Sequence, residues 1–396
     1  MGDFKMQLPR DVLFIIDKLN ESGYSAHVVG GSVRDSLISR ELGDFDITTS
    51  ATPEETKKVF SDYRTVDTGI KHGTVTLVLS GVPYEITTYR VDGDYKDNRH
   101  PDSVTFTANL CDDLARRDFT VNAMAYDPVG GVVDPFGGRD DAEGRIIRAV
   151  GDPYRRFDED ALRILRAVRF ASVLDFEIEE KTAQAARELS QRLESISKER
   201  VYTELKKLIS GIAAPKILLE YSDVLAYALD GIEVLGMPDK DRFSAADYLT
   251  RLAAIFNMNS SDAVGAADRA LTSLKTDKFT RIHIISVLKA YKKASFSTVR
   301  AVLTLLAEYG KDATEGALKL GILEGKFGDS ERKIFECALS GGTPYTVSGL
   351  AVRGGDLSSV GITGERIGEA LNTLLYAVIN GEVENEREAL LKFVTK

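Results

Sequence analysis

At 396 residues the chain is too long for one compact core, and at about 150 residues per domain it is expected to divide into two to four units. Its composition, 43% hydrophobic and 28% charged, excludes wholesale disorder and a fibrous repeat. The net charge of −10 argues on its face against a nucleic-acid partner, yet seven arginines stand against four acids between Arg145 and Arg169, so a local basic surface survives the acidic average.

No run approaches the ~18 to 20 apolar residues of a membrane span, and the first residues lack the apolar core of a signal peptide, which predicts a cytoplasmic protein. Cys111 and Cys337 are far apart and show no metal-ligand spacing, so neither a disulfide scaffold nor a structural zinc is expected.

Taken in chain order, residues 26–29 read as a strand, 32–38 as a helix opening, 45–48 as a second strand and 53–60 as a helix started by proline. Segments 74–79 and 84–90 flank Ser80-Gly81-Val82-Pro83, the turn chemistry of a hairpin. This first third is predicted to be α/β, with a mostly antiparallel or mixed sheet. Beyond about residue 140 apolar residues recur at helical spacing, so the remainder is expected to be helical, with joints near 257–264 and 341–348.

Gly30-Gly31 ends the first strand and opens a helix, a place where bare backbone N–H groups and a helix dipole can hold a phosphate, with Arg34 adding charge. Asp44 and Asp46 follow on the second predicted strand. Period-2 geometry puts both carboxylates on one face, roughly 7 Å apart at Cα, a spacing that suits two Mg²⁺ ions about 4 Å apart. Glu85, on the second strand of the hairpin, could complete the metal site. Arg116 and Arg117 are guanidinium forks that match triphosphate oxygens, with Asp118 and Asn122 close behind.

On a helical wheel over 159–170, Asp160, Arg163, Arg166 and Arg169 share one half while Ile164, Leu165 and Val168 share the other. One side is expected to pack and the other to present an acceptor and three donors, groups able to read the Watson–Crick edge of a base. His72, in a predicted loop, receives no role.

Together these segments resemble the nucleotidyltransferases of the polymerase β superfamily, specifically the class II bacterial CCA-adding tRNA nucleotidyltransferases that share a family with bacterial poly(A) polymerases. Val29-Gly30-Gly31-Ser32-Val33-Arg34-Asp35 with Gly43-Asp44-Phe45-Asp46 looks like the metal and phosphate motif. Residues 116–123 look like the ribose and triphosphate motif, 156–170 like the amino-acid template, and 197–205 like the helix that supports it. The resemblance is strong over 26–209 and returns weakly over 350–393, and 210–340 matches only as helical filler.

The resemblance implies an α+β chain: a nucleotidyltransferase head (1–145) with a mixed β-sheet and helices, then an all-α neck for nucleotide selection (146–209), a body (210–340) and a tail (341–396) for tRNA. It assigns the metals, taken as Mg²⁺, to Asp44 and Asp46, and the nucleotide to Gly31, Arg34, Arg117, Asp160, Arg163, Arg166 and Arg169. Glu85 is an extension from the residues themselves. The expected reaction adds CCA to the 3′ end of tRNA from CTP and ATP, binding the top half of the tRNA by shape, with no membrane and no obligatory protein partner. The polar stretch 92–103 reads as a mobile loop, which in the family accompanies addition of the terminal A. The alternatives are an A-adding enzyme, a poly(A) polymerase and a non-catalytic RNA-binding relative.

Overall fold

The computed structural model describes residues 4–93 and 104–395, in two units, Met1–Ala228 and Leu229–Lys396. In the first unit, α1 (Arg10–Glu21) buries Val12, Ile15, Ile16 and Leu19, the i, i+3, i+4, i+7 stripe of an amphipathic helix. Removing each of these side chains from water contributes about 1.5–3 kcal/mol.

The strands that follow are β1 (Ala26–Val29), β2 (Asp46–Thr49), β3 (Arg64–Gly69), β4 (Thr74–Leu79), β5 (Val82–Thr88), β6 (Arg90–Asp92), β7 (Val104–Phe106), β8 (Ala125–Asp127) and β9 (Gly131–Val133). Seven of them form one sheet in the order β3-β4-β5-β2-β1-β8-β9, and β6 and β7 pair as a separate ribbon. The sheet is mixed, as expected: β1 and β2 are antiparallel with Val29 opposite Asp46, whereas β2 and β5 are parallel with Ile47 beside Ile86.

Alternation along the strands then decides what each face carries. Val28, Ile47, Leu77, Ile86 and Tyr126 join the α1 stripe in one core. Val29 belongs to a second cluster on the other face, with Leu114, Ala123, Ala125 and Val150. Asp46 and Glu85, one residue ahead of Ile47 and Ile86, are exposed.

The helices of this unit after α1 are α2 (Gly31–Leu37), α3 (Pro53–Val59), α4 (Leu110–Ala115), α5 (Gly138–Glu143), α6 (Pro153–Glu159), α7 (Leu162–Leu174), α8 (Glu180–Glu188), α9 (Lys198–Ile209), α10 (Ala214–Glu220) and α11 (Ser222–Ala226). α3 starts where the sequence places it because Thr52 and Glu55 form a reciprocal capping box around Pro53.

The second unit is α12 (Lys240–Ala245), α13 (Tyr248–Asn259), α14 (Ala263–Ser273), α15 (Lys278–Lys293), α16 (Val299–Leu323), α17 (Asp329–Ser340), α18 (Gly354–Ser359), α19 (Arg366–Asn380) and α20 (Arg387–Val394). α16 is interrupted at Gly310, whose φ of 78° no helix accommodates. Leu303, Leu306, Phe335, Leu374 and Leu390 centre its core. Among the described residues no helix is long and apolar enough to cross a membrane.

Several local expectations are corrected. β2 begins at Asp46, not at residue 45, so Asp44 precedes the strand instead of lying on it. The hairpin turn is Ser80-Gly81 alone: both have positive φ, 50° and 82°, as a tight two-residue turn demands, and Val82 and Pro83 already pair with Leu79 and Val78. The helical remainder contains one strand pair, β10 (Ile146–Ile147) beside β11 (Glu177–Ile178). The expected joint at 257–264 shrinks to 260–262, because α13 continues to Asn259 with the Asn257 amide donating to Glu324 at 2.7 Å. Of the polar stretch 92–103, only Asp92 and Gly93 fall within the described residues.

Candidate active site

β1 runs into Gly30, whose φ of 79° and ψ of −131° are open to glycine alone. A Cβ there would stand 3.2 Å from Arg117 Nη1, and one at Gly31 would stand 3.4 Å from Arg34 Nη2. Two guanidiniums therefore converge on bare backbone. α2, at seven residues, is too short for its dipole to count for much, so the positive charge at this turn comes from side chains and not from the helix end invoked above.

Next to the turn, on β2, Asp46 is held above the ordinary carboxylate range. Although the residue keeps solvent contact, the protein around its carboxyl removes enough water for lost hydration to be the main cause; Arg117 pulls the other way, and the negative charges of Glu85 and Asp44 add to the rise. Asp44 and Glu85 thus both press on the Asp46 charge, and a divalent cation would relieve that repulsion. Among the described residues no three carboxylate, histidine or cysteine side chains close into a preformed cage. Hard oxygen donors in an open set fit a divalent cation that completes its shell with substrate phosphates.

Arg117 is steered by Asp113, which is wholly buried on α4. Asp113 accepts from Arg117 Nη2 at 3.3 Å, from Arg116 Nε and Nη2 at 3.0 and 2.7 Å, and from Thr48 Oγ1 of β2 at 3.3 Å. Burial alone would raise the Asp113 carboxyl, but Arg116 and Arg117 hold it below its usual value. Arg117 Nε is buried with no hydrogen-bond partner among the described residues. Such a donor costs about 1–3 kcal/mol unless an acceptor meets it, so a ligand oxygen fits here.

A continuous network leads from this turn to α7 and α9. Arg34 donates to Asn122 Oδ1, Asn122 Nδ2 donates to Asp118 Oδ1 at 3.1 Å, and Arg166 grips Asp118 Oδ2 at 2.9 and 2.6 Å. Arg169 donates to Glu204 Oε2 at 2.9 Å and lies 3.4 Å over the Phe170 ring. Burial would push Asp118 up, but Arg166 beside it, with the Asn122 amide and Arg163, holds it well below the carboxylate range.

The continuous wheel expected over 159–170 is not what forms. α6 ends at Glu159, Asp160 is extended (φ −145°, ψ 105°), and α7 starts at Leu162. The reason is local: Asp160 Oδ1 accepts from Leu162 N at 3.0 Å, satisfying one of the free N–H groups that open α7. Its Oδ2 receives Arg200 of α9 at 2.7 Å. Nor do the arginines form an open row: Arg163 and Arg169 are each 9% exposed. Arg163 binds Glu159 Oε2 at 2.7 Å and the Arg116 carbonyl at 3.0 Å, and so reaches back to the 116–122 segment.

Comparison with known proteins bears on this arrangement directly. Residues 26–148 match the model of the Poly A polymerase head domain, 175–233 that of an RNA and SrmB-binding site of polymerase A, and 250–394 that of tRNA nucleotidyltransferase domain 2. The CCA-adding enzyme of Lactococcus lactis subsp. cremoris (strain MG1363) is 39% identical over 405 residues, 96% of this chain and 95% of its own. That of Geobacillus stearothermophilus is 39% identical over 402 residues, with 96% and 95% covered. The crystal structure of the Bacillus stearothermophilus CCA-adding enzyme in complex with CTP matches with a TM-score of 0.80 at 34% identity, covering 98% of both chains. The chain belongs to the CCA-adding enzyme family.

CCA-adding enzymes are nucleotidyltransferases that generally use divalent metals, which agrees with the open set of carboxylates. The family models also extend over most of 210–340, which the motifs alone treat as helical filler. Of the residues singled out in the sequence, Asp44, Glu85 and Arg117 each act on Asp46, while Arg117 stands against Gly30 and Arg34 against Gly31. Arg163 and Arg166 join this group through the Arg116 carbonyl and Asp118. Asp160 and Arg169 are held from the α9 side, by Arg200 and Glu204.

Sequence reasoning assigned no individual role to Asp113, Asp118, Asn122, Glu159, Arg200 or Glu204. A charge inventory could have found some of them. Buried arginines require buried acceptors, and Arg200 and Glu204 are spaced to share one helix face.

Proposed function

We propose that this protein adds CCA to the 3′ end of tRNA from CTP and ATP, releasing pyrophosphate and using no nucleic-acid template. The observation that carries the reading is the convergence of the Arg117 and Arg34 guanidiniums on Gly30 and Gly31, with Asp46 paired opposite Val29, the residue before the turn, and within electrostatic reach of Arg117, Glu85 and Asp44. Mg²⁺ held by Asp44 and Asp46, with Glu85 beside them, would neutralise charge on the triphosphate and favour ionisation of the RNA 3′-hydroxyl.

The chain's own groups do the positioning. Arg34 and Arg117 take phosphate oxygens over the bare turn, with Arg117 Nε a donor for one of them. Asp113 fixes Arg117 from beneath and links it to the metal strand through Thr48.

Base choice falls to Asp160 and Arg163. Cytosine and adenine both offer an amino donor beside a ring-nitrogen acceptor; uracil and guanine reverse that order. An acceptor from Asp160 and a donor from Arg163 therefore suit the first pair and leave unpaired groups against the second. Arg200 and Glu159 orient the two reading groups, and Arg166 and Arg169 anchor the helix that carries Arg163.

In this reading residues 1–145 are the catalytic head, 146–209 the neck that selects nucleotides, and 210–340 and 341–396 a body and tail for the top half of tRNA. The work lies in the cytoplasm and requires no partner protein. Purified protein with Mg²⁺, CTP and ATP should extend tRNA lacking its last three nucleotides by those three. Extension only of tRNA already ending in CC would make it an A-adding enzyme, and indifference to tRNA shape a poly(A) polymerase. No incorporation at all would leave a non-catalytic RNA binder.

A further inference from the structure

From Arg269 to Arg300 the sequence holds eight lysines or arginines and a single acid, Asp277, in a chain whose net charge is −10. The run covers the end of α14 and all of α15, which pack against each other. Its one acid is occupied as the N-cap of α15, accepting from Thr280 N at 2.8 Å and from Thr280 Oγ1 at 2.6 Å. Asp268, just before the run, is claimed by Arg281 Nε at 2.7 Å. Its carboxyl is held below the ordinary range by Arg281, with Lys289 and Arg269 adding to the effect, so basic groups of both helices gather on one surface.

On the first turn of α15, next to Lys278, lies an aromatic. Phe279 is 67% exposed and Ile282 52% exposed, and the His283 ring lies parallel to Phe279, centroids 5.7 Å apart at 16°. At about 100° per residue, Lys278, Phe279, Ile282, His283 and Lys289 fall within about 140° of the α15 circumference, opposite Ile284, Val287 and Leu288, which enter the core; toward the C-terminal end the same arc closes, with Ala290 buried and Lys293 paired with Glu308. A single exposed apolar side chain needs no explanation, but a ring held flat by a stacked imidazole among lysines does.

We propose that this face of α15 is an RNA-docking surface on which the free side of Phe279 stacks against one unpaired nucleobase, while Arg269, Lys278 and Lys289 neutralise neighbouring phosphates. The proposal rests on the reading that the protein acts on tRNA, and deepens it by naming a surface. Charge selects a polyanion over a protein, and two exposed apolar side chains make too small a patch for a stable protein interface. Stacking selects an unpaired base, since bases inside an A-form helix have no free face to offer. The contact on a folded tRNA is therefore with an unpaired segment and not with a stem.

The test uses the full-length protein and tRNA lacking its last three nucleotides, measured by equilibrium binding and by steady-state extension. Phe279→Ala is expected to weaken tRNA binding about 5- to 100-fold and Phe279→Tyr to restore it, with kcat and the KM for CTP unchanged. Lys278→Ala with Lys289→Ala should reduce the slope of log affinity against log salt by about 0.7–0.9 per lysine. A parent that binds and extends tRNA beside a Phe279→Ala variant of equal affinity overturns this surface and leaves the function standing. A parent that does not bind tRNA overturns both. Weakening that Phe279→Tyr fails to restore, or altered self-association in sedimentation with unchanged RNA affinity, also refutes the assignment, the latter in favour of a contact between copies.

Discussion

Asp46 combines two demands that seldom coincide: it begins a strand of the sheet, and it carries a charge that its neighbours resist. Replacing it by asparagine removes the charge on which Glu85 and Asp44 press. Asp46→Asn is therefore expected to abolish nucleotide incorporation while leaving the thermal midpoint of the ligand-free protein unchanged or higher; incorporation near the parent's rate would remove Asp46 from catalysis. Asp118 is the opposite case, a buried carboxylate that its partners want ionised. Its folded pKa lies below the unfolded value of about 3.9, so its pairing with Arg166 stabilises the protein above that pH and is lost as pH falls toward the folded value. In denaturant unfolding, the stability gap between the parent and Asp118→Asn should be full near neutral pH and shrink by about 1.4 kcal/mol per pH unit below that value. A gap that does not change with pH contradicts this. The acids and arginines of the site were legible as residue types at motif spacing. Their salt partners Glu159, Arg200 and Glu204 were legible at most as charges on a helix face, because nothing in a linear string says which charges will lose their water together and pair.

At the scale of elements, most of the head was readable because its signals are local: a proline opening α3, a β-rich run in β4, glycines where the chain turns. The failures share a cause as well. The wheel over 159–170 assumed one helix, yet Asp160 satisfies the N–H groups of the helix that follows it, and a residue that caps cannot also continue a helix. The break turns Asp160 Oδ2 toward Arg200 of α9, a partner that a single wheel does not contain. The Gly30 turn allows a cleaner test. Gly30→Ala forces a Cβ into a glycine-only conformation 3.2 Å from Arg117 Nη1, whereas Gly81→Ala strains a φ of 82° with nothing near it. Both variants should lose about 1–3 kcal/mol of stability, but only Gly30→Ala should raise the KM for CTP. Equal effects of the two on KM would mean that the turn does no more than connect β1 to α2.

Over the whole molecule, a split into several units was legible from length, and the change from sheet to helix near residue 140 from periodicity. The chain packs as two compact units, Met1–Ala228 and Leu229–Lys396. The acidic average concealed two basic concentrations, one around Arg145–Arg169 and one from Arg269 to Arg300. Despite a net charge of −10, tRNA affinity is therefore expected to fall steeply with salt, by a slope of about −0.7 to −0.9 per neutralised phosphate; a flat dependence in a binding titration would show that phosphates are not what the protein holds. The central claim is that side chains stand in for a template, and the most direct measurement is competition among CTP, ATP, UTP and GTP for incorporation by the parent and by Arg163→Ala. The account predicts that Arg163→Ala loses at least about tenfold in discrimination against UTP and GTP while retaining incorporation. Discrimination at the parent's level in that variant would contradict it.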